Sequence, residues 1–267
     1  MAIYDCFQYF NEDHMVDLRL NILKDHVDFF VISESNKTHQ GEDKKLNFDI
    51  NNFSKFKHRI KYIVADFDRD KDFVQHKGGE SVIEQHQRNS LQLGLNKASD
   101  NDLIILSDSD EIPDLTKLKN IKPKTKYTAF SQMMFMYKLN LQNLNESNWI
   151  GSKICLKKYF PSPQKLRNMK FKEYPFWRFD KKNIQIIKGG WHFSFLQSPE
   201  DIIKKIKAYS HGEFNTEEII NIKNIEEKIF NNKDIFNRGF KLKKIEIDDN
   251  FPEFILKNKN SLNKWLL

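Results

Sequence analysis

The chain has 267 residues, enough for one large α/β domain or two small ones, and at this length roughly 70–75% of the unfolded surface can be buried without disulfides or a structural metal. Hydrophobic residues make up 39% and charged residues 30%; with 23 Phe, 8 Tyr and 4 Trp against 9 Gly and 7 Pro, a disordered, linker-like or collagen-like chain is excluded. Lysine and arginine outnumber the acidic residues 44 to 37, a net charge of +7 that permits nucleic acid, an anionic membrane surface or a phosphorylated substrate and selects none of them. The lysines are scattered among Asn, Ile and Phe, so no nucleic-acid partner is expected. Cys6 and Cys155 cannot form a disulfide framework and stand in no zinc-ligand spacing. No apolar run approaches the ~18–20 residues of a membrane span, and Met1–Phe10 carries neither a basic n-region nor a cleavage site. A cytoplasmic setting is the expectation.

In chain order, Ile3–Phe7 reads as a short strand leading to Asn11 as a helix N-cap, followed by Met15, Leu18, Ile22 and Leu23 at helical spacing. Phe29–Glu34 is a near-continuous apolar strand of the kind a buried parallel sheet needs. A polar loop runs from Ser35 to Lys45, and Ile60–Val64 is a third strand. Glu80–Ala98 is expected to be a helix with Val82, Ile83, Leu91 and Leu95 turned inward, and Leu103–Leu106 a fourth strand. Beyond it the pattern is less regular. Tyr127–Phe135 and Ile184–Lys188 read as strands, Ser198-Pro199-Glu200-Asp201 opens a helix, and a further helix spans about Thr216 to Asn231. The alternation predicts an α/β fold with an open, twisted, mostly parallel sheet and helices on both faces. No linker divides the chain, so 1–267 is read as a single domain, with residues 1–115 as a nucleotide-binding half and 116–267 completing the site and receiving the acceptor.

The strongest chemical signal is Asp108-Ser109-Asp110, directly after the fourth apolar strand and therefore at the carboxyl edge of the sheet, where open α/β folds bind ligands. Two carboxylates so close repel unless a cation lies between them. Hard oxygen ligands favour Mg²⁺ or Mn²⁺, which can bridge to a substrate diphosphate. The bland alternative is a solvated acidic turn.

Ile105-Leu106-Ser107-Asp108-Ser109-Asp110-Glu111-Ile112-Pro113 resembles the central motif of glycosyltransferase family 17, which includes the β-1,4-N-acetylglucosaminyltransferase that bisects N-glycans. The resemblance continues in order along the chain. It takes in Tyr4-Asp5-Cys6-Phe7 with Asn11-Glu12, Phe30–Asn36 with Thr38 and Gly41, and Glu84 with Arg88-Asn89. It then runs through Gly190–Ser194, Pro199-Glu200 with Ile202 and Lys205, and Ser210-His211 with Glu213-Phe214. It implies a GT-A fold and metal-dependent, inverting transfer of N-acetylglucosamine or a related hexose from a nucleotide-diphosphate donor, a UDP-sugar, to a glycan or lipid-linked saccharide. Peripheral contact with anionic lipid is compatible with the basic surface. Inversion requires a carboxylate base at the acceptor hydroxyl.

For that base the candidates are Glu213, then Glu173 in its aromatic setting before Tyr174, then Glu111, which follows the aspartate pair and either faces the sugar or only holds the loop. His192 is read as a third metal contact with Asp108 and Asp110, or as a histidine merely hydrogen-bonded beside Trp191. His211 is a diphosphate contact or a helix-end residue. Arg88 either pairs with Glu84 one helical turn away or reaches the nucleotide and the aspartate loop. Arg167 and Lys170 neutralise a diphosphate or belong to a solvated basic loop. Asp5 and Glu34, on the same sheet edge, are donor-binding candidates or sheet-edge carboxylates. Two other functions compete: a non-catalytic nucleotide-sugar or carbohydrate-binding module, and a phosphoesterase, which needs a denser set of ligands for two metals.

Overall fold

The computed structural model describes residues 1–68, 81–122, 125–172, 177, 183–208 and 214–267. Near-continuous apolar runs place β1 (Ile3–Gln8), β2 (Phe29–Ser35), β3 (Ile60–Ala65) and β4 (Leu103–Ser107) side by side in the order β3-β2-β1-β4, all parallel. Alternation on these strands separates two buried faces. Phe7, Phe30, Ile32 and Ile105 pack on one side with Met15, Val16, Leu20 and Leu23 of α1 (Asp13–Leu23). Tyr4, Cys6, Val31, Ile104 and Leu106 pack on the other with Leu91, Leu95 and Leu166. Burial on both faces is what makes continuous rather than alternating hydrophobic strands.

The helix expected over 80–98 is divided. Ser81 caps α2 (Val82–Ser90), its Oγ accepting from the Glu84 N–H, and a 3₁₀ turn over Leu91–Leu95 follows. The division lets Gly94 lie against β2, where even a methyl group would stand 2.3 Å from Val31. The first helix starts at Asp13 with Glu12, not Asn11, at its cap.

After β5 (Glu111–Pro113), the strands turn antiparallel. β6 (Tyr127–Met136), β7 (Leu141–Asn143) and β8 (Trp149–Leu156) extend the same sheet, β8 lying between β4 and β6. The short α3 (Pro163–Asn168) leads on to β9 (Ile184–Ser194), which continues past the glycine pair 189–190 with a shift of register against β6, and lies parallel to β6 and antiparallel to β5. α4 (Pro199–Ala208) and α5 (Ile222–Phe230) pack through Ile202, Ile206 and Ile225 onto Met134 and Met136. β10 (Leu242–Lys244) pairs with β7 at the sheet edge, and α6 (Glu253–Lys257) returns to the core through Ile255. The strands β7, β8 and β10 carry no readable period-2 signal: Gly151, Ser152 and Lys153 interrupt β8, and the others have three residues each. No helix among the described residues is long and apolar enough to cross a membrane.

Candidate active site

At the carboxyl ends of the parallel strands lies a cleft of about 510 Å³, with Gln8, Asp108, Asp110, Arg88, Arg167, His192 and Lys205 in its walls. A hollow of similar volume, about 530 Å³, sits at the amino ends of β1–β3 around Lys24, Asp28 and Arg59. Of its two carboxylates, Asp25 and Asp28, the latter accepts from the Ile3 N–H at 2.7 Å, and open α/β sheets place their ligands at the other edge.

The turn that carries the aspartates is held from beneath by a residue that period counting passes over. Met15, Arg19 and Leu23 stand four residues apart on the buried stripe of α1, so Arg19 points into the protein with no exposed surface. It meets Asp5 of β1, also fully buried, in a two-pronged pair at 2.6 and 2.7 Å. Its remaining nitrogen donates to the carbonyls of Asp108 and Ser109 at 3.2 Å each and of Glu111 at 2.6 Å. Glu12, at the start of α1, accepts from the Ser109 hydroxyl at 2.9 Å and from the backbone N–H groups of Phe10 and Asn11. The strand-to-loop transition is therefore fixed by buried charge-assisted bonds, the stronger kind of hydrogen bond.

Around the aspartates the side chains come from four further elements. Arg167 of α3 donates to Asp108 Oδ2 at 2.6 Å and to Glu111 at 3.2 Å. Lys153 of β8 secures that arginine by donating to the carbonyls of Arg167 and, at 2.9 Å, of Met169. Arg88 at the end of α2 pairs with Glu84 at 2.7 Å, donates to Gln164 at 2.7 Å, and stands 3.6 Å from Asp108 Oδ1. Both roles open to Arg88, the helical ion pair and the approach to the aspartate loop, are thus present together. The Nε2 atom of His192 is 3.6 Å from Asp110 Oδ1, and its ring lies 4.9 Å from that of Trp149.

His192 reaches this place because β5 and β9 pair with Glu111 opposite His192 and Pro113 opposite Gly190. Gly190 has φ +110°, and a Cβ there would stand 2.5 Å from the Ile112 carbonyl oxygen, so this close approach requires glycine.

Burial opposes ionisation of Asp108, but Arg167 and Arg88 hold its carboxyl below the usual range. Burial likewise works against Asp110, whose carboxyl the neighbouring His192 holds well below that range; burial also opposes charge on His192, but Asp110 together with Glu111 and Asp108 raises it above its ordinary value. Asp108 Oδ1 and His192 Nδ1 are buried and have no hydrogen-bond partner among the described residues. In a polar cluster otherwise closely satisfied, such atoms ask for a ligand.

Three sequence expectations are corrected. Asp5 is committed to Arg19 in the core and has no surface to offer a donor. Glu34 is also fully buried: it accepts from the Lys44 ammonium, from Asn47 N–H at 2.8 Å, Phe48 N–H at 3.0 Å and the Tyr62 hydroxyl at 2.8 Å, which ties the following loop to the sheet. Glu111 spends both oxygens on Trp149 Nε1 at 2.7 Å, the Asp108 N–H at 3.1 Å and Arg167, so it clamps the loop and does not face the cleft. Asp5 and Glu34 share a cause: a carboxylate on a buried strand turns inward where a buried cation or donor cluster awaits it. Lys170 is exposed. Glu173, His211 and Glu213 lie outside the described residues.

Residues that sequence reasoning left without a role are Arg19, Glu12, Trp149, Lys205 and Glu146, the last four lining the cleft. For Arg19 and Lys205 a signal existed: a cation on the inward stripe of an amphipathic helix.

The model of glycosyltransferase family 17 matches residues 1–239, and the chain belongs to this family. It is accordingly a transferase of glycosyl groups. A search of curated protein sequences returned no match. Among solved structures it resembles a protein described as a glucose-1-phosphate thymidylyltransferase of Bacillus anthracis in complex with sucrose (12% identity, 71% of this chain and 88% of that one, TM-score 0.39). It also resembles an active-site mutant of LgtC (14%, 70% and 72%, TM-score 0.32) and HddC of Yersinia pseudotuberculosis complexed with GMP-PN (11%, 72% and 89%, TM-score 0.32). Likeness at this level carries no argument about what this chain binds.

Proposed function

We propose that this glycosyltransferase is metal-dependent and inverting, and that it moves N-acetylglucosamine or a related hexose from a UDP-sugar to a glycan hydroxyl. The observation that carries the reading is the turn at 108–110. It holds two carboxylates at the sheet edge beside a cleft, one with a buried oxygen that has no hydrogen-bond partner among the described residues, and two arginines flank them.

This donor set fits Mg²⁺ or Mn²⁺. Among the described residues no three His, Cys, Asp or Glu side chains group as a metal cage, and Mg²⁺ is commonly held by one or two carboxylates that share it with substrate phosphates. Asp108 and Asp110 would hold the ion, with His192 beside them, and when bound it supplies Lewis-acid stabilisation of the diphosphate. Arg88 and Arg167 add fixed positive charge on the leaving-group side. The acceptor oxygen forms its bond to the anomeric carbon as the bond from that carbon to the phosphate oxygen breaks, and the electron pair stays on the diphosphate. The acceptor proton passes to a carboxylate on the opposite face of the sugar. Glu213 and Glu173 are the proposed bases; Glu111, used up in clamping the loop, is set aside. A phosphoesterase using two metals would need more ligands than the described residues bring together.

The test is a thermal-shift panel of UDP-, GDP-, CMP- and dTDP-sugars with and without Mn²⁺, since a bound ligand raises stability by RT ln(1 + [L]/Kd). Stabilisation by a UDP-sugar that depends on Mn²⁺ is expected. Equal stabilisation after chelation removes the metal, and stabilisation by no sugar nucleotide removes the donor reading.

A further inference from the structure

α4 carries three lysines, Lys204, Lys205 and Lys207, and their surroundings differ. Lys204 is two-thirds exposed and pairs with Asp201 on its own helix. Lys205 stands three residues after Ile202 and directly before Ile206, the two buried residues of the helix, so it shares their inward face. Its side chain is only 20% exposed and enters the cleft. The ammonium lies 3.8 Å from Glu12 Oε1 and 5.6 Å from the Phe195 ring centre. Among the described residues it makes no shorter polar contact. Burial works against its charge, but Glu12, Asp110 and Asp108 together hold its pKa above the ordinary lysine value.

An ammonium has three donors to satisfy, and 3.8 Å is too long for a good hydrogen bond. A charged group turned inward with its donors unspent costs free energy unless a ligand completes it. The other Lys and Arg side chains lining the cleft are already engaged: Arg167 with Asp108 and Glu111, Arg88 with Glu84 and Gln164, Lys37 with Asp43, Lys44 with Glu34 and Arg238 with Asp234. Lys205 comes from a different element, after β9, and is drawn to the same aspartate turn.

We propose that Lys205 binds the terminal phosphate of the nucleoside diphosphate, on which the electron pair remains when the glycosidic bond to the donor breaks. This deepens the donor reading above and rests on it. A compact ammonium is suited to a phosphate as a point charge that can follow the shifting negative charge, whereas both arginines are anchored by their partners.

The experiment is calorimetric titration of the full chain, in Mg²⁺, with UDP, GDP and dTDP, each beside its monophosphate, for the wild type, Lys205→Gln and Lys205→Arg. The wild type should bind one diphosphate more tightly than its monophosphate. Lys205→Gln should lose roughly ten- to a hundredfold in diphosphate affinity, as expected for a charge-assisted bond, with monophosphate affinity unchanged, and Lys205→Arg should recover most of the loss. A Lys205→Gln protein that binds diphosphate as the wild type does overturns the assignment and leaves the donor reading standing. Equal losses for mono- and diphosphate in both variants also overturn it, by making Lys205 a support of the cleft. A wild type that binds no nucleotide overturns the donor reading itself, and this proposal with it.

Discussion

Arg19 ties together groups that neither α1 nor β1 could place alone. Without its guanidinium, Asp5 becomes an unpaired charge in the core and three carbonyls of the aspartate turn each lose one donor, that of Glu111 keeping the Ser152 hydroxyl. Arg19→Met is expected to destabilise the protein by about 3–5 kcal/mol, the usual cost of breaking a buried pair, measured by chemical denaturation. Asp5→Leu with Arg19→Met should regain most of that stability, since apolar replacement of a whole buried pair is often neutral, yet still bind nucleotide poorly because the turn is loose. A double variant as unstable as the single one would place the main cost in the carbonyl bonds. Asp110 belongs to the site instead of the support: it lines the cleft, and its side chain stands 3.6 Å from His192. Asp110→Ala should keep the wild-type circular dichroism and lose the Mn²⁺-dependent thermal shift with donor; a retained shift would exclude this carboxylate from the metal.

At the scale of elements, the site depends on β9 lying against β5. That pairing brings His192 from a segment some eighty residues away in sequence to face the aspartate turn, and the Phe193 N–H seals it by donating to the Asp110 carbonyl at 2.9 Å. Gly190→Ala forces a methyl group toward the Ile112 carbonyl in a backbone region that disfavours side chains. The expected loss is about 1–3 kcal/mol, accompanied by weaker donor binding as the strands part. If Gly190→Ala unfolds at the wild-type temperature, β9 tolerates a displacement that the contact geometry forbids. The division of the helix after Ser90 is a comparable adjustment: propensity favoured one continuous helix, and packing of Gly94 on Val31 prevailed.

For the whole molecule, the family match ends at residue 239, but the core does not. Phe251 and Ile255 are buried in the cluster that contains α1 and β2, and β10 covers the edge of β7. A chain ending at Gly239 would expose that cluster and an unpaired strand edge, against a total stability of only about 5–15 kcal/mol for a typical protein. It should show no cooperative unfolding transition. Ile255→Ala in the full chain, by contrast, should fold and lose about 2–5 kcal/mol. A truncated protein that melts cooperatively near the wild-type temperature would make the last 28 residues an appendage instead of part of the fold.

The parallel half of the sheet and the place of Asp108 and Asp110 at its edge were legible in the sequence alone. Long apolar runs can be satisfied only by burial on both faces, and a polar turn after such a run can lie only at its end. Local pattern also marked Ser198 as a helix start, and its Oγ accepts from the Asp201 N–H at 3.2 Å. What pattern could not decide was the direction of each charged side chain. Asp5, Glu34 and Glu111 resembled site residues by position and became supports, because Arg19, the loop donors after residue 44, and Trp149 with Arg167 reach them from distant segments. Lys205 resembled one lysine among three on its helix and enters the cleft because α4 docks by Ile202 and Ile206. A buried charge takes its role from the partner it meets, and in this fold those partners are brought together only by tertiary packing.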